Sequence, residues 1–269
     1  MYTLSKYRKR ITAPGMPQPK GEVHSFSDRQ ERVCGFDQSG LDRAHGLFIG
    51  GGGNAELLEV LCRMGIGRAT VVDHDVFEYT NLARQFAFHH RFRSDLQKPK
   101  AWRLIKNLAP HCTKKTVLTG ISRTFEDLLV AGFDFTQFSF ACALVDNGAT
   151  RAAYTRHFQQ IGLPLVTMAL GHGNIGYIFI QESTPSSACL GCKLENEIFS
   201  KKASCAAPSS KEIVKVVAGF GAFAINTLLM PLRRRAWNWR QMSLNGFLPD
   251  ECLMITKNPN CPICGDGKQ

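Results

Sequence analysis

The sequence predicts an α/β fold in which a mostly parallel sheet is flanked by helices. Short apolar runs begin at Leu47 and are separated by segments with helical patterning, and strands that are buried on both faces of a parallel sheet have this composition. Strands that alternate with helices are joined by right-handed crossovers. The chain has 269 residues, 44% hydrophobic and 20% charged, which suits one large folded domain and excludes a disordered or collagen-like chain.

The predicted elements follow this alternation along the chain. Strands are expected at residues 47–49, 69–72, near 116, 138–145, 164–168 and 175–181. Helices are expected at residues 54–64, 99–108 and 147–161. A Ser/Ala/Pro-rich loop over 183–210 precedes a C-terminal apolar helix from Glu212 and a cysteine-containing tail. Because the most apolar run, 216–232, contains Asn226 and is shorter than the ~20 residues that span a bilayer, we expect a buried helix and no membrane span.

The N-terminus and the overall charge bear on the cellular location of the protein and on its binding partners. Residues 1–26 are rich in Lys, Arg, Pro and Gly, which predicts a flexible basic arm before a single domain over 27–269. The net charge of +11 favours acidic partners such as nucleotides, nucleic acid or an acidic protein. The basic start is not followed by an apolar stretch typical of a secretory signal, so we expect a cytoplasmic protein.

A glycine-rich turn directly follows the first predicted strand. It reads Gly50-Gly51-Gly52-Gly53-Asn54-Ala55, a G-x-G-x-x-A pattern that opens a helix. Glycines let the backbone turn tightly and approach phosphate, and the helix N-terminus offers free N–H groups to an anion. Asp73 ends the next strand, where an acidic side chain binds ribose hydroxyls. These residues predict a Rossmann-like nucleotide site that suits NAD and ATP equally.

Polar residues farther along the chain favour ATP. The segment 80–86 contains Arg84, Lys100 follows Pro99, and Asp146 ends a strand. Hydride transfer needs none of these groups. Reaction at a triphosphate needs cations and a metal-binding carboxylate, because negative charge grows on the phosphoryl oxygens and on the leaving pyrophosphate. Taken singly, Arg84 and Lys100 also suit surface charges, and Asp146 also suits a helix N-cap.

With these motifs, the sequence resembles the ThiF/MoeB/HesA adenylyltransferases, a family related to ubiquitin-activating enzymes, from about Asp28 to the C-terminus. The segments that carry the resemblance are Asp28-Arg29-Gln30, GGGGNA, DHDVFEYTNLARQF, KPK, Asp146-Asn147 with Arg151 after it, CLGC and NPNCPICG. The resemblance implies ATP-dependent adenylation of the C-terminal carboxylate of a small ubiquitin-like or sulfur-carrier protein ending in Gly-Gly. It also implies a homodimer, with a conjugating enzyme as a further partner.

The resemblance also implies roles for particular residues. Asp73 would hold the ribose, Asp146 would bind Mg²⁺, and Arg29 would reach into the partner subunit's site. The implied nucleotide-binding residues are Gly50, Gly52, Gly53, Asp73, Asn81, Arg84, Lys100, Asp146 and Asn147. The implied catalytic residues are Arg29, Arg84, Lys100, Asp146 and Cys205. ATP, Mg²⁺ and Zn²⁺ are the expected cofactors.

The cysteines divide into two predicted roles. Cys189 and Cys192 form one C-x-x-C pair, and Cys261 and Cys264 form another. Four thiolates satisfy tetrahedral Zn²⁺ and leave no open position for catalysis, so we predict a structural zinc that ties the tail to the segment after the sheet. Cys205 lies near the place where the family keeps a cysteine that forms a thioester or an acyl-persulfide. A lone loop cysteine with no chemical role is the alternative.

Three other functions remain open from the sequence. A tRNA-modifying adenylyltransferase of the dehydratase type would use the basic surface for RNA, although nucleic acid is the less favoured partner. A catalytically silent partner subunit is disfavoured by the intact Arg84, Lys100 and Asp146. NAD-dependent oxidoreduction ranks last. The segment 233–240 combines four arginines with Trp237 and Trp239, which suits an acidic protein, an RNA or, as we prefer, a solvated helix end with both indoles in the core.

Overall fold

A computed structural model of the chain describes residues 4–83, 85, 92–145, 148–171, 174–195 and 209–265. Within these residues, nine strands form a single sheet. The strands are β1 (Arg8–Thr12), β2 (His45–Ile49), β3 (Arg68–Val72), β4 (Val117–Ile121), β5 (Phe140–Ala143), β6 (Leu165–Gly171), β7 (Ile175–Gln181), β8 (Trp239–Ser243) and β9 (Glu251–Leu253). The helices are α1 (Asp28–Glu31), α2 (Gln38–Arg43), α3 (Gly51–Met64), α4 (Phe92–Asp95), α5 (Lys100–Leu108), α6 (Phe125–Val130), α7 (Gly148–Ile161), α8 (Leu190–Leu194) and α9 (Lys211–Leu229).

The sheet has a parallel centre and antiparallel margins. Its strand order is β1-β4-β3-β2-β5-β6-β7-β8-β9. The five strands from β4 to β6 in this order are parallel, whereas β1, β7, β8 and β9 pair antiparallel with their neighbours. This confirms the predicted Rossmann-like α/β fold. The strand order reverses between β2 and β5, and ligands of such sheets bind outside the carboxyl ends of the strands at that point.

Helices cover both faces of the sheet. Alternate residues of β2 point to opposite sides, because Leu47 and Ile49 join one core cluster while Phe48 joins the other. Helices α3, α5 and α9 contribute to the cluster around Phe48, and α6 and α7 contribute to the cluster around Leu47. The central strands are therefore buried on both faces, as their near-continuous apolar runs predicted.

Helix α9 is the predicted C-terminal apolar helix. It is long and apolar enough to cross a membrane by length and composition alone. It packs against α3, β6 and β7, and Ile213, Val217, Ala222 and Ile225 are buried in this contact. Asn226 is buried as well. The run is thus a core helix, as the sequence predicted.

The N-terminal segment differs from the expected flexible arm. Residues 8–12 form β1, whose register with β4 runs from Arg8 opposite Ile121 to Thr12 opposite Val117. Backbone hydrogen bonds continue the pairing beyond the strand, since Ala13 donates to the Thr116 carbonyl at 2.8 Å. The prediction of an arm is wrong for these residues because an edge strand is held by backbone hydrogen bonds and its charged side chains give no apolar alternation.

The C-terminal part of the sheet was also missed. The sequence suggested a helix end around Trp237 and Trp239, but α9 ends at Leu229 and Trp239 begins β8. Both indoles are buried, as expected. Trp239 stacks on Tyr177 of the neighbouring β7, with ring centres 4.8 Å apart. The two tryptophans are therefore core residues of the antiparallel margin. The arginines around them are not simply solvated, since the Arg235 side chain is 11% exposed and its Nη1 donates to the Thr227 hydroxyl at 3.1 Å.

Candidate functional site

A cavity of about 480 Å³ opens at the carboxyl ends of the central parallel strands. The loops that follow four adjacent strands contribute residues to the cavity wall. Gly50 follows β2, Asp73 follows β3, Arg123 follows β4 and Leu144 follows β5. The cavity therefore lies where the strand order reverses, the usual ligand position in such sheets, and its wall includes the glycine turn and Asp73 that the sequence predicted to bind a nucleotide.

The glycine turn is the floor of this cavity. Gly50 has φ +86°, which L side chains rarely adopt, and a Cβ there would lie 2.4 Å from the Leu144 carbonyl oxygen. A Cβ on Gly53 would lie 2.3 Å from the Leu144 Cδ2 atom. Helix α3 begins at Gly51, three residues earlier than predicted. Gly51, Gly52 and Gly53 therefore form the first helical turn, and Gly52 and Gly53 line the cavity at the positive end of the helix dipole.

The Asn54 side chain stabilises the glycine turn through hydrogen bonds. It is fully buried, and its Nδ2 donates hydrogen bonds to the carbonyl oxygens of Ile49 at 3.0 Å and Gly50 at 2.8 Å. These carbonyls belong to the end of β2 and to the turn itself. The amide thus fixes the geometry with which the strand enters the helix.

Asp73 connects the turn to the next strand. Its Oδ2 accepts a hydrogen bond from the Gly51 N–H at 2.7 Å, and its Oδ1 accepts one from the Asp75 N–H at 2.8 Å. The carboxyl group is 7% exposed. Burial raises the pKa of Asp73 above its usual range, while Lys100 and the two N–H groups oppose this shift. Each oxygen keeps a further lone pair for a ligand hydroxyl.

Lys100 reaches the same cavity from the start of α5. Its Nζ lies 3.1 Å from the Asp75 Oδ2 atom, and its backbone N–H donates to the Asp75 carbonyl at 2.8 Å. The lysine side chain is 8% exposed, and the partner carboxylate is about half exposed. Asp75 was not predicted as a site residue, although its place two residues after Asp73 in the DHD string was a visible signal.

Three further cavity residues were not predicted as site residues. Arg151 of α7 donates from Nε and Nη2 to the Val145 carbonyl at 3.2 and 2.9 Å. Arg123 follows β4, and Gln85 lies against Gly52. The sequence carried little signal for Arg123, because only the strand order brings the end of β4 beside Asp73.

Two of the predicted residues lie outside the cavity. Asn81 is buried, and its Oδ1 accepts a hydrogen bond from the Glu78 N–H at 2.9 Å, which caps the short 3-10 turn Tyr79–Asn81. Arg29 is exposed on α1. Its neighbour Gln30 donates to the Met64 carbonyl at the far end of α3. That end lies about 20 Å along the helix from the glycine turn, so Arg29 does not reach the cavity of its own chain.

Four predicted residues lie outside the described residues. They are Arg84, Asp146, Asn147 and Cys205. The roles given to them stay predictions. The structure brings together the remaining members of the nucleotide set that line the cavity, namely Gly50, Gly52, Gly53, Asp73 and Lys100.

The four paired cysteines form a second site. Their sulfur atoms all lie within 4.8 Å of one another. The Cys189 and Cys261 sulfurs are 3.5 Å apart, and the Cys192 and Cys264 sulfurs are 3.4 Å apart. Tetrahedral Zn²⁺ with Zn–S bonds of ~2.3 Å needs sulfurs about 3.8 Å apart, so the cluster fits this ion.

Backbone groups and charge support the same interpretation. The Asn258 N–H donates to the Cys192 sulfur and the Ile263 N–H donates to the Cys261 sulfur, each at 3.4 Å. Hydrogen bonds from Cys189 and Cys264 lower the pKa of Cys192, whereas the hydrogen bonds to Cys192 and Cys264 raise the pKa of Cys189. The backbone N–H donors favour the thiolate form of the sulfurs that they contact, which is the form that binds zinc. The cluster is closed by four protein ligands, as expected for a structural site.

Sequence comparisons identify a matching family and related proteins. The family model described as the ThiF family matches residues 27–263. The molybdopterin-synthase adenylyltransferase of Escherichia coli (strain K12) is 24% identical over 253 residues, which are 88% of this chain and 95% of the relative. The SAMP-activating enzyme E1 of Haloferax volcanii is 26% identical over 230 residues, which are 82% of this chain and 80% of the relative.

Solved structures share the fold. The crystal structure of E. coli MccB with AMPCPP and MccA aligns with a TM-score of 0.73. The alignment covers 92% of this chain and 76% of that one, at 15% sequence identity. At this identity the likeness concerns the arrangement of strands and helices alone.

Proposed function

Since the chain belongs to the ThiF family, we propose that it is an adenylyltransferase that uses ATP to activate the C-terminal carboxylate of a small ubiquitin-like or sulfur-carrier protein. One observation carries the proposal. The glycine turn, Asp73 and Lys100 line a single cavity at the strand-order reversal of a domain that the family model covers almost completely. The names of the two relatives, an adenylyltransferase and an E1 activating enzyme, support the same reaction class.

The proposed chemistry occurs at the α-phosphate. A carboxylate oxygen of the carrier attacks the α-phosphorus, the bond to the bridging oxygen of the β-phosphate breaks, and pyrophosphate leaves. Negative charge grows on the phosphoryl oxygens as this happens. The N-terminal N–H groups of α3, the Lys100 ammonium and the Arg151 guanidinium border the space where those oxygens would lie, and they stabilise such charge because they are already oriented.

Asp73 fits the role of ribose ligand. Its two oxygens are fixed by the N–H groups of Gly51 and Asp75, and their remaining lone pairs can accept hydrogen bonds from the ribose hydroxyls. Because the same carboxylate binds the backbone of the glycine turn, the ribose and the phosphates would be held in a constant relative position. A fixed position of the α-phosphate would raise the rate, because the reacting atoms are already oriented.

Mg²⁺ is part of the proposal through Asp146. When bound, the ion would neutralise charge on the triphosphate. The neighbouring Val145 and Thr150, on either side of Asp146 in the chain, line the cavity, which supports a carboxylate at this position. The proposed zinc has a different role, since the cysteine cluster lies on α8 and the tail rather than in the cavity wall.

A second chemical step is proposed at Cys205. Its thiolate would attack the carbonyl carbon of the acyl-adenylate, AMP would leave, and a thioester would join the carrier to the chain. Ser209 lines the cavity and lies four residues after Cys205. Four residues of extended chain span at most ~14 Å, which is the upper limit on the separation of the Cys205 and Ser209 Cα atoms.

Exchange of radiolabelled pyrophosphate into ATP tests the first step. The assay uses a panel of ubiquitin-fold carriers that end in Gly-Gly. Wild type is expected to exchange with at least one carrier, and Asp146→Asn is expected to lower exchange by about 100-fold or more because the metal-binding charge is lost. Asp134→Asn is the matched control, since Asp134 lies outside the cavity. The absence of exchange with every carrier in the panel would reject the proposed function.

The same preparations test the covalent step. After incubation with ATP and an active carrier, non-reducing gels should show a thiol-sensitive adduct on wild type. Cys205→Ala should lose the adduct and retain pyrophosphate exchange, because adenylation precedes attack by the thiol. An adduct that persists on Cys205→Ala would assign the nucleophile to another residue.

A further inference from the structure

The N-terminal segment 4–12 contacts a residue of the nucleotide cavity, Arg123, although the segment lies outside the stretch that the family model matches. The pairing of Arg8 with Ile121 places Tyr7 beside Ser122, at the carboxyl end of β4. The Tyr7 carbonyl oxygen accepts hydrogen bonds from the Ser122 N–H and from the Trp102 Nε1, each at 2.9 Å. The position of Tyr7 beside the end of β4 is therefore fixed by backbone pairing and by the hydrogen bond from the Trp102 indole.

Tyr7 in turn holds an arginine of the cavity wall. The guanidinium carbon of Arg123 lies 3.4 Å from the centre of the Tyr7 ring, and Arg123 lines the cavity. Its Nη1 lies 3.8 Å from the Asp127 Oδ2 atom. A guanidinium that stacks on an aromatic ring keeps its plane fixed, whereas a free arginine side chain samples many rotamers. The N-terminal segment thus sets the orientation of the Arg123 guanidinium at one end of the cavity.

The strand order indicates which part of a nucleotide meets this plane. The glycine turn follows β2, Asp73 follows β3 and Arg123 follows β4, and these strands are consecutive in the sheet. Neighbouring strands are ~4.8 Å apart, so phosphate, ribose and base would lie over successive strands. A nucleotide with its phosphates at the turn and its ribose at Asp73 would place its base at the end of β4.

We propose that Arg123, held by Tyr7, contacts the nucleobase of the bound nucleoside triphosphate. The N-terminal segment would then contribute to nucleotide binding through Tyr7. This inference rests on the proposed function. A guanidinium offers donors and a flat face but no acceptor, and it suits the ring nitrogens and the π face of a purine. Arg123 is the base contact, and Tyr7 is a positioning residue that acts through it.

Binding of two ligands to the full chain separates base contacts from phosphate contacts. Calorimetric titrations measure the Kd of MgATP and of magnesium tripolyphosphate, which has no base. Arg123→Ala is expected to weaken MgATP by about tenfold and to leave tripolyphosphate within about twofold. Arg10→Ala is the matched control, because it removes the same charge from an exposed position of β1.

The tyrosine is tested by coupling. Tyr7→Ala is expected to weaken MgATP several-fold, and Tyr7→Phe should bind as wild type does because the ring is retained. The double variant Tyr7→Ala/Arg123→Ala should bind no more weakly than Arg123→Ala, since Tyr7 acts through the arginine. Additive losses in the double variant would overturn the positioning role.

Other outcomes would overturn the base contact itself. Unchanged MgATP binding in Arg123→Ala would do so, and so would an equal loss of both ligands in a variant that unfolds at the wild-type urea midpoint, because the arginine would then act on the phosphates. If Arg123→Ala does not fold, Arg123→Lys decides in its place, since it keeps the charge and removes the plane. A wild-type chain that binds neither ligand would overturn the proposed function as well.

Discussion

At the scale of single residues, the Asp73 carboxylate accepts two backbone hydrogen bonds, one on each oxygen. Each of its oxygens accepts a different backbone N–H, from Gly51 in the glycine turn and from Asp75 after β3. An asparagine has only one side-chain oxygen and would turn an amide donor toward the other N–H. The carboxylate is therefore required by the local backbone before any nucleotide is considered.

This requirement predicts the effect of an isosteric change. Asp73→Asn is expected to lower the free energy of unfolding by about 1–3 kcal/mol, because one buried N–H loses its acceptor. Urea denaturation with an unchanged m-value measures the loss. Asp134→Asn is the matched control, since Asp134 uses a single oxygen, Oδ1, for both the N–H and the hydroxyl of Thr136, and an asparagine keeps that oxygen. Equal losses in the two variants would contradict the explanation.

At the scale of elements, the cysteine cluster joins short pieces of the chain near the C-terminus. Helix α8 has five residues and β9 has three, and the tail beyond β9 has no regular secondary structure through residue 265. Cys261 is buried against this cluster, and its carbonyl accepts the Gly265 N–H at 3.0 Å. A metal that binds both C-x-x-C pairs would connect the tail to α8 and thereby to the antiparallel margin of the sheet.

Removal of one ligand should therefore release the metal and loosen the tail. Cys261→Ser is expected to lose about one equivalent of zinc per chain and to lower the Tm by at least ~5 °C. Cys252→Ser should keep the zinc and the Tm, because Cys252 is exposed on β9 and lies outside the cluster. Metal analysis and thermal melting of the two purified variants measure the difference. Full zinc content in Cys261→Ser would exclude the four-cysteine site.

At the scale of the whole molecule, the position of Arg29 bears on assembly. Helix α1 is held at the Met64 end of α3, while the cavity lies at the Gly51 end. The resemblance assigns Arg29 to a nucleotide site, yet α1 contacts the end of α3 that lies about 20 Å along the helix from the glycine turn of its own chain. A shared site in a homodimer reconciles the two observations, and we keep the homodimer as a proposal.

Mixing of inactive variants tests this arrangement. Arg29→Ala and Asp146→Asn are each expected to lack pyrophosphate exchange. A mixture of the two should recover up to about a quarter of wild-type exchange, because one site of each mixed dimer would contain both wild-type residues. Subunit exchange is verified in parallel with differently tagged chains. No recovery in subunits that do exchange would contradict a site shared between chains.

The sequence alone determined the parallel centre of the fold and half of the nucleotide site. Strands β2, β3, β5 and β6 are continuous apolar runs because both of their faces are buried, and such runs can be read directly. The glycine turn and Asp73 could be predicted because their chemistry depends on neighbours in the chain. The C-x-x-C pairs were predicted for the same reason, since their spacing is itself the metal-binding feature.

Only the tertiary structure decided the rest. The charged residues of β1 show no period of two, and their pairing with β4 depends on backbone groups that every residue carries. Arg123 enters the cavity because β4 lies beside β3, and Tyr7 reaches Arg123 because β1 lies beside β4. The contact between Tyr7 and Arg123 joins positions more than a hundred residues apart in the chain. Local sequence records backbone preference and burial, whereas the neighbour of a given side chain is set by how the strands are ordered in the sheet.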